Sequence, residues 1–254
     1  MKNFFEPTPN KEPIKLSEHE SAEGSLKTEG GLSYYEQQLQ LTDEDFAGKK
    51  VLDLGSGPSA LFAKEAGEKI PGIKVTSFDL SFDESKLEER GDIFNSPRIE
   101  LRTGKSKSVK KLESGTEKVT GLFTQLPFDG ESFDIVVSSG AMPLYLTDPE
   151  KIQEAFGEVI RVLRDGGKAH LGPVTYTDIV DTDFTKSIAE THQKHSCEES
   201  KKIFEAILGK FQKKIRFEFL PPIEKYPGTE FSRIISPEVL VIRKKDSRKP
   251  LFSF

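Results

Sequence analysis

The segment that most constrains this chain is Val51–Ser59, which reads Val-Leu-Asp-Leu-Gly-Ser-Gly-Pro-Ser. Its first four residues are typical of a short buried strand that carries one carboxylate, Asp53, near its carboxyl end. Glycines without a Cβ atom then allow a sharp turn, on which a ligand can lie directly against the backbone. Because Pro58 suits the first turn of a helix, we expect a helix from about Pro58 to Ile70. The free N–H groups of such a helix start add a partial positive charge, so the segment predicts a nucleotide cradle.

The sequence of this turn is compatible with two different cofactors. Gly55-x-Gly57-x-x-Ala60 fits the relaxed dinucleotide fingerprint, and Asp79 lies 24 positions after Gly55, near the place of that fingerprint's ribose-binding acid. Asp53 favours S-adenosylmethionine instead, because a carboxylate before the glycines would repel a pyrophosphate but attract the ammonium group of a methionine moiety.

Val51–Ser59 resembles motif I of the class I S-adenosylmethionine-dependent methyltransferases, except that Ser59 stands where many members have a third glycine. Gln125–Gly140 resembles the Leu-Pro-Phe…Ser-Phe-Asp run that leads into the fourth strand of this family, a run that dinucleotide dehydrogenases lack. Glu158–Lys168 is similar to the family's junction between a helix and the fifth strand. Together these segments favour the methyltransferase family over the dehydrogenases.

The resemblance covers roughly residues 45 to 245. It implies an α/β fold with a doubly wound, mostly parallel seven-stranded sheet and an antiparallel last strand. It also implies an enzyme that transfers a methyl group from S-adenosyl-L-methionine and releases S-adenosyl-L-homocysteine. The domain boundaries that we predict are a disordered or loosely docked arm at 1–30, a methyltransferase-like domain at 31–246 with an insertion within 84–118, and a tail at 247–254.

The resemblance also implies which residues bind the cofactor. Asp53 would bind its ammonium group, Asp79 its two ribose hydroxyls, and Leu80 would lie against the adenine. Many members have an adenine-binding acid where this chain has Leu122, so we expect backbone groups of Gly121 to Phe123 to replace it. The full predicted set is Asp53, Gly55, Ser56, Gly57, Asp79, Leu80, Gly121, Leu122, Ser138, Ser139 and Gly140.

The sequence contains no catalytic triad, which the family does not require, because the sulfonium is already activated and the protein mainly orients the attack. The catalytic residues are therefore unknown, and the candidates are Tyr145, His192 and His195. His192-x-x-His195 and Cys197 lack further ligands at metal spacing, so we predict no metal site. We expect His170, inside a predicted strand, to be packed in the core or at its rim.

Charge and composition restrict the partners. The net charge of −5 and the pI near 5.6 argue against broad nucleic-acid binding, so we expect no DNA partner. No apolar run reaches about 18 residues and no signal peptide is evident, which with a single cysteine predicts a cytoplasmic protein without a membrane partner. The leading hypothesis is a small-molecule methyltransferase. The alternatives are an RNA or protein substrate, docked through the lysines at 105, 107, 110 and 111, and a cofactor-binding module without catalysis.

Helical periodicity and strand patterns divide the first half of the chain. Leu32–Leu41 predicts a short helix whose tyrosines either form a lid over the cofactor or cover the sheet edge. We predict a second strand at Ile73–Phe78, and a third at either Arg98–Arg102 or Lys118–Phe123. The segment Lys105–Leu112 is interpreted as a basic helix or a loop, and the insertion in this region could instead form a hairpin.

In the second half we predict a strand at Phe133–Ser138, then a helix capped at Asp148 and closed by Asp165-Gly166-Gly167. A fifth strand follows at Lys168–Val174, and a helix is expected from Ser196 to about Phe211. The chain is expected to end with two antiparallel strands, joined by a proline-rich link, at Lys214–Leu220 and Pro237–Lys244.

Overall fold

The computed structural model describes residues 30–57, 59–79, 107–111, 117–143, 146, 148–174, 197–225, 233–236 and 238–247. Its helices are α1 (Leu32–Leu39), α2 (Asp43–Phe46), α3 (Leu61–Lys69), α4 (Pro149–Val162) and α5 (Cys197–Gly209). Its strands are β1 (Lys50–Leu54), β2 (Lys74–Phe78), β3 (Lys107–Lys111), β4 (Glu117–Thr120), β5 (Phe133–Ser139), β6 (Leu163–Gly172), β7 (Ile215–Leu220), β8 (Ile223–Lys225), β9 (Arg233–Ser236) and β10 (Val239–Lys244).

One large sheet organises the chain, in the order β3-β4-β2-β1-β5-β6-β10-β7. The pairs from β4 through β6 are parallel, whereas β10 runs antiparallel to both β6 and β7. The seven strands from β4 to β7 form the sheet that the sequence predicts, including its antiparallel last strand, and this prediction is confirmed. The eighth strand, β3, adds an antiparallel pair at the β4 edge.

The central strands are apolar because both faces of the sheet are covered. Four of the five residues of β1 and the first six of β5 are buried. One core layer packs α1, α2 and α3 against the sheet, and the other packs α4 and α5 against the opposite face. The buried stripe of α4 includes Ile152, Phe156, Val159 and Ile160, which matches its predicted apolar face.

Several boundaries differ from the prediction. The helix expected from Pro58 begins at Leu61, because Ala60 adopts a left-handed conformation (φ 54°) and extends the turn. The helix expected to close at the glycines ends at Val162, and β6 begins at once at Leu163 rather than at Lys168. Asp165-Gly166-Gly167 therefore lies inside an irregular strand, where the register with β5 shifts and Gly166 has a φ of 75°.

The third parallel strand is β4, which selects the later of the two predicted segments. Arg98–Arg102 lies outside the described residues. The interpretation of Lys105–Leu112 as a helix or loop is wrong, because Lys107–Lys111 forms the edge strand β3. The β8–β9 hairpin, a separate two-stranded sheet, was also not predicted, because the sequence between β7 and β10 indicates only a proline-rich link.

No helix in the described part of the chain is long and apolar enough to cross a membrane.

Candidate cofactor site

The glycine turn that follows β1 lies at the carboxyl edge of the sheet, where parallel strands of such folds present ligand sites. Gly55 and Gly57 have φ values of 77° and 72°, a region that residues with a Cβ atom avoid. The Gly55 N–H donates to the Phe78 carbonyl at 2.7 Å. A Cβ atom on Gly55 would lie 2.2 Å from the Cβ of Ala141, so the turn also packs tightly against the segment after β5. Glycine is therefore required here for both conformation and space.

Asp79 lies directly after β2 and faces the same turn. Its Oδ2 accepts a hydrogen bond from the Gly57 N–H at 2.9 Å, and its own N–H donates to the Val119 carbonyl at 3.1 Å. The adjacent strands β1, β2 and β4 thus hold the carboxylate at the glycine turn. The neighbouring Leu80, predicted to line the adenine, lies outside the described residues.

Asp53, on β1, is completely buried. Its Oδ1 accepts a hydrogen bond from the Tyr35 hydroxyl at 2.8 Å, whereas its Oδ2 has no partner in the described structure. Burial raises the pKa of Asp53 to about 8; the Tyr35 hydrogen bond opposes this shift and the charge of Asp79 adds to it. The described structure thus gives this carboxyl group no cation.

Sequence reasoning placed Tyr35 in a helix that covers either the cofactor or the sheet edge, but it did not identify the contact with Asp53. Tyr35 projects from α1, is buried, and stacks on Phe62 with ring centroids 4.3 Å apart and an interplanar angle of 9°. Burial and the nearby Asp53 carboxyl raise its pKa well above the usual value, so its hydroxyl remains a donor. The helical pattern at Leu32–Leu41 predicts the helix, but only the packing of α1 on the sheet brings Tyr35, rather than Tyr34, to Asp53.

The carboxyl end of β5 contributes the third part of the site. The Ser138 hydroxyl donates to the Leu54 carbonyl and accepts from the Met142 N–H, both at 2.8 Å, so it joins β5 to β1. Ser139 is partly exposed and Gly140, with a φ of 74°, donates its N–H to the Gly172 carbonyl at 2.8 Å. Of the three residues predicted here, Ser138 therefore uses its hydroxyl in hydrogen bonds within the protein.

The segment after β4 lies beside the glycine turn. Gly121 and Leu122 are half-buried, and Leu122 forms an isolated bridge with Gln125. The Phe123 ring lies 6.2 Å from the ring of Phe78, the last residue of β2. An apolar surface therefore occupies the position at which many members of the resembled family have an acid.

The catalytic candidates Tyr145, His192 and His195 all lie outside the described residues. His170 is buried on β6, and its Nδ1 lies 2.9 Å from the Leu39 carbonyl. Burial lowers the pKa of His170 to about 4, so the ring is neutral and structural. This agrees with its prediction as a packed residue.

A separate cleft of about 770 Å³ opens at the amino edge of the sheet, lined by residues that include Lys50, Lys74, Phe128 and Asp129. It lies at the opposite ends of the strands from Asp53, Asp79 and the glycine turn. We therefore do not assign the cofactor to it, since Asp53 with its unpartnered oxygen, Gly55 and Gly57 are at the other edge.

Comparison with protein families identifies the core of the chain. Residues 52–171, which run from β1 to β6, match the family described as "Methyltransferase domain". A curated relative, 24-methylenesterol C-methyltransferase 2 of Oryza sativa subsp. japonica, is 27% identical over 124 residues, which is 47% of this chain. The matched region is 27% of the length of that relative, so the chain spans only about a quarter of it.

A solved structure shares the fold. A candidate S-adenosyl-L-methionine-dependent methyltransferase from Methanococcus maripaludis superposes with a TM-score of 0.50 and 18% identity, over 86% of this chain and 88% of that chain. A methyltransferase from Thermotoga maritima, a possible histamine N-methyltransferase by its description, gives a TM-score of 0.48 and 18% identity. That match covers 85% of this chain and 90% of the other.

Proposed function

Because the chain carries a class I S-adenosylmethionine-dependent methyltransferase domain, we propose that it methylates a small molecule and binds its cofactor at the carboxyl edge of the sheet. The observation that carries the proposed site is the meeting of Asp53, Asp79 and two left-handed glycines at one turn. A buried carboxyl oxygen without a partner fits a ligand that brings its own ammonium group.

In this proposal each part of the edge binds one part of the cofactor. The ammonium group is placed beside Asp53, and the backbone of Gly55, Ser56 and Gly57 supports the sugar and the methionine chain. Asp79, fixed by the Gly57 N–H, accepts hydrogen bonds from the ribose hydroxyls. Gly121 and Leu122 supply backbone groups and an apolar contact to the adenine, with Leu80 as a further predicted contact.

The reactive end belongs beside β5. Ser139 and Gly140 lie where that strand ends, and we assign them to the methionine part or the methyl group. When bound, the cofactor supplies an electrophilic methyl group that needs no further activation. The chain's contribution is to orient the acceptor in line with that methyl group and to exclude water, which can supply a large part of the rate enhancement.

Two elements beside the site support a small, partly apolar substrate. The large apolar side chains that remain exposed among the described residues are Tyr34 on α1, at 48%, and Ile223 at the start of β8, at 40%. Because β7 runs parallel to β1, the β8–β9 hairpin that follows it lies at the carboxyl edge. The Gln40 amide donates to the Pro221 carbonyl at 2.9 Å, which joins α1 to this hairpin region. The sterol methyltransferase relative also favours a small substrate.

A macromolecular substrate has less support. Lys107, Lys110 and Lys111 belong to β3, which is an edge strand of the sheet. Lysines are common on edge strands, where they discourage pairing with other chains, and this explains them without a nucleic-acid partner. The acidic net charge of −5 argues in the same direction.

Calorimetric titration with S-adenosylhomocysteine tests the cofactor site. We expect micromolar binding by the native chain and at least tenfold weaker binding by Asp79→Asn, because the amide keeps one acceptor for Gly57 but loses the charged acceptor for the ribose. Asp129→Asn is the matched control, since Asp129 is exposed at the amino edge. Equal loss in both variants, or no binding by a folded protein, would contradict the proposed site.

A transfer assay tests the substrate class. The protein is incubated with methyl-labelled cofactor and a panel of sterols, phenols and small amines, with total RNA and a peptide library in parallel. We expect label in the small-molecule arm, reduced by Tyr34→Ala through a higher KM with little change in kcat. Label that appears in RNA alone, with binding weakened by salt, would replace this proposal with the macromolecular one.

A further inference from the structure

Asp53 is buried beside a second carboxylate with little to balance a negative charge. Tyr35 contacts it from α1, and Asp79, the other ionisable group that acts on it, lies at the end of β2. Its partners across the sheet, Ser77 on β2 and Val137 on β5, are uncharged. Phe62 of α3 covers the Tyr35 ring, and Tyr34 of α1 is the remaining ionisable neighbour of Tyr35. The described structure supplies no cation to this cluster.

We propose that Asp53 binds a proton in the free protein and releases it to solvent when the ammonium group of the cofactor arrives, with Tyr35 as the positioning residue that holds the carboxyl group. This inference rests on the proposed cofactor site. It goes beyond that site by assigning a proton-linked step to Asp53 and a role to Tyr35.

The hydrogen-bond geometry distinguishes the two carboxyl oxygens. Oδ1 accepts from the Tyr35 hydroxyl at 2.8 Å, so a proton on the carboxyl group belongs on Oδ2, which is buried and has no partner. The raised pKa of Asp53 is consistent with the protonated form at neutral pH. A cation bound nearby favours the ionised form, and the proton then leaves to the solvent.

Tyr35 is held rigidly enough to position this group. Its ring is buried and stacked on Phe62, and its hydroxyl stays protonated, so it can only donate to Asp53. A donor to the ionised carboxylate stabilises that form. Replacing Tyr35 by phenylalanine keeps the ring and its packing but removes this donor.

The test is calorimetry of S-adenosylhomocysteine binding in buffers with different ionisation enthalpies, across pH 6 to 9, which counts the protons released. We expect about one proton released at pH 7 by the native protein, since a buried acid that gains a cation changes its charge by one. 5′-Methylthioadenosine, which lacks the ammonium group, should bind without releasing a proton, and Asp53→Asn should release none with either ligand.

Tyr35→Phe should weaken binding of S-adenosylhomocysteine by roughly tenfold and extend proton release upwards by about one pH unit, the equivalent of one lost hydrogen bond. Ser33→Ala is the control on the same helix, because it removes an exposed hydroxyl of α1, and its proton release should equal that of the native protein. A purely structural role of Tyr35 would weaken binding but leave the pH range unchanged.

The experiment distinguishes a failure of the proton-release inference from a failure of the proposed cofactor site. Tight binding of S-adenosylhomocysteine with no proton released between pH 6 and 8 would overturn this inference and leave the proposed function intact. An unchanged pH range in Tyr35→Phe would overturn the role of Tyr35. If the folded protein binds neither ligand, both the inference and the proposed site are wrong.

Discussion

Two buried aspartates on neighbouring strands of the sheet are treated in opposite ways. Asp134, at the start of β5, accepts the Lys50 N–H at 2.7 Å and forms an ion pair with Arg164. Asp53, near the end of β1, receives only a tyrosine hydroxyl and keeps an unpartnered oxygen. Buried charges are ordinarily paired, so the amino edge follows the rule of a structural carboxylate. The carboxyl edge departs from it, and this departure is typical of a binding site that is completed by its ligand.

The two edges of the sheet also differ in how tightly their left-handed glycines are packed. Gly55 at the carboxyl edge and Gly48 at the amino edge have φ values of 77° and 69°. A Cβ atom on Gly48 would meet open space, whereas one on Gly55 would collide with Ala141. Of these two glycines, only Gly55 combines a left-handed conformation with close packing.

The largest effect is expected from Gly55→Ala. Left-handed strain and the collision with Ala141 should together lower the free energy of unfolding by about 4 kcal/mol and abolish cofactor binding. Gly48→Ala should lose only the strain contribution, about 1 to 2 kcal/mol, and keep its binding. Chemical denaturation measures both variants, and equal losses would remove the distinction between the two edges.

The pH dependence of stability tests Asp53 in the free protein. Its folded pKa, about 8, exceeds that of an unfolded aspartate, so the folded state holds the extra proton and stability falls as the pH rises from about 4 to 8. Relative to Asp53→Asn, the native protein should lose about 3 kcal/mol between pH 5 and pH 7, at roughly 1.4 kcal/mol per unit.

The stability of the native protein must be compared with that of Asp53→Asn because a second group titrates in this range. Burial raises the pKa of Glu36 to about 7, and the adjacent Asp43 adds to the shift. Glu36 is present in both proteins, so its contribution cancels in the difference. If the denaturation midpoints of the two proteins changed equally with pH over this range, the charge of Asp53 would already be balanced in the free protein, and the prediction would be wrong.

Asp134→Ala should lower the free energy of unfolding by about 2 kcal/mol at pH 7, because it leaves the Lys50 N–H without its acceptor. Arg164 is half-exposed, so its charge can turn to water and adds little to this loss. Binding of S-adenosylhomocysteine by the folded variant should equal that of the native chain. A fall in affinity comparable to that of Asp79→Asn would mean that the two edges are not independent.

The smallest effect is expected at two other left-handed residues. Glu131→Gly, at the exposed turn before β5 (φ 60°), should stabilise the protein by no more than about 1 kcal/mol, because it relieves the strain and loses only an exposed ion pair. Gln40→Gly, after α1 (φ 54°), should give no gain, because it also loses the hydrogen bond to Pro221. Thermal unfolding in parallel would detect the difference, and a gain in both variants would contradict it.

Local sequence predicted the parts of the fold in which local preference and burial agree. The strand before the glycine turn, the strand at Phe133–Ser138 and the helix capped at Asp148 are all present, and the Asp148 side chain accepts the Glu150 N–H at 2.9 Å. Asp79 could be placed at the turn from its spacing after the glycine motif, because consecutive parallel strands end at the same edge.

The predictions that failed depended on long-range contacts. Lys107–Lys111 has a composition that indicates a helix or a loop, and becomes a strand only by pairing with β4. Gly166 and Gly167 are typical helix terminators, yet α4 ends earlier because β6 already pairs with β5 from Leu163. In both places strand pairing overrides the local preference.

The sequence by itself indicated a resemblance to the methyltransferase family, the class of fold and the carboxylates at the glycine turn, because motif spacing and strand patterns are local properties of the chain. Only the tertiary structure decided that Tyr35 rather than Tyr34 reaches Asp53, and that Asp134 is paired with Arg164 while no described cation pairs with Asp53. The physical reason is that the charge state of a buried group depends on every element packed around it, and those elements are distant in sequence.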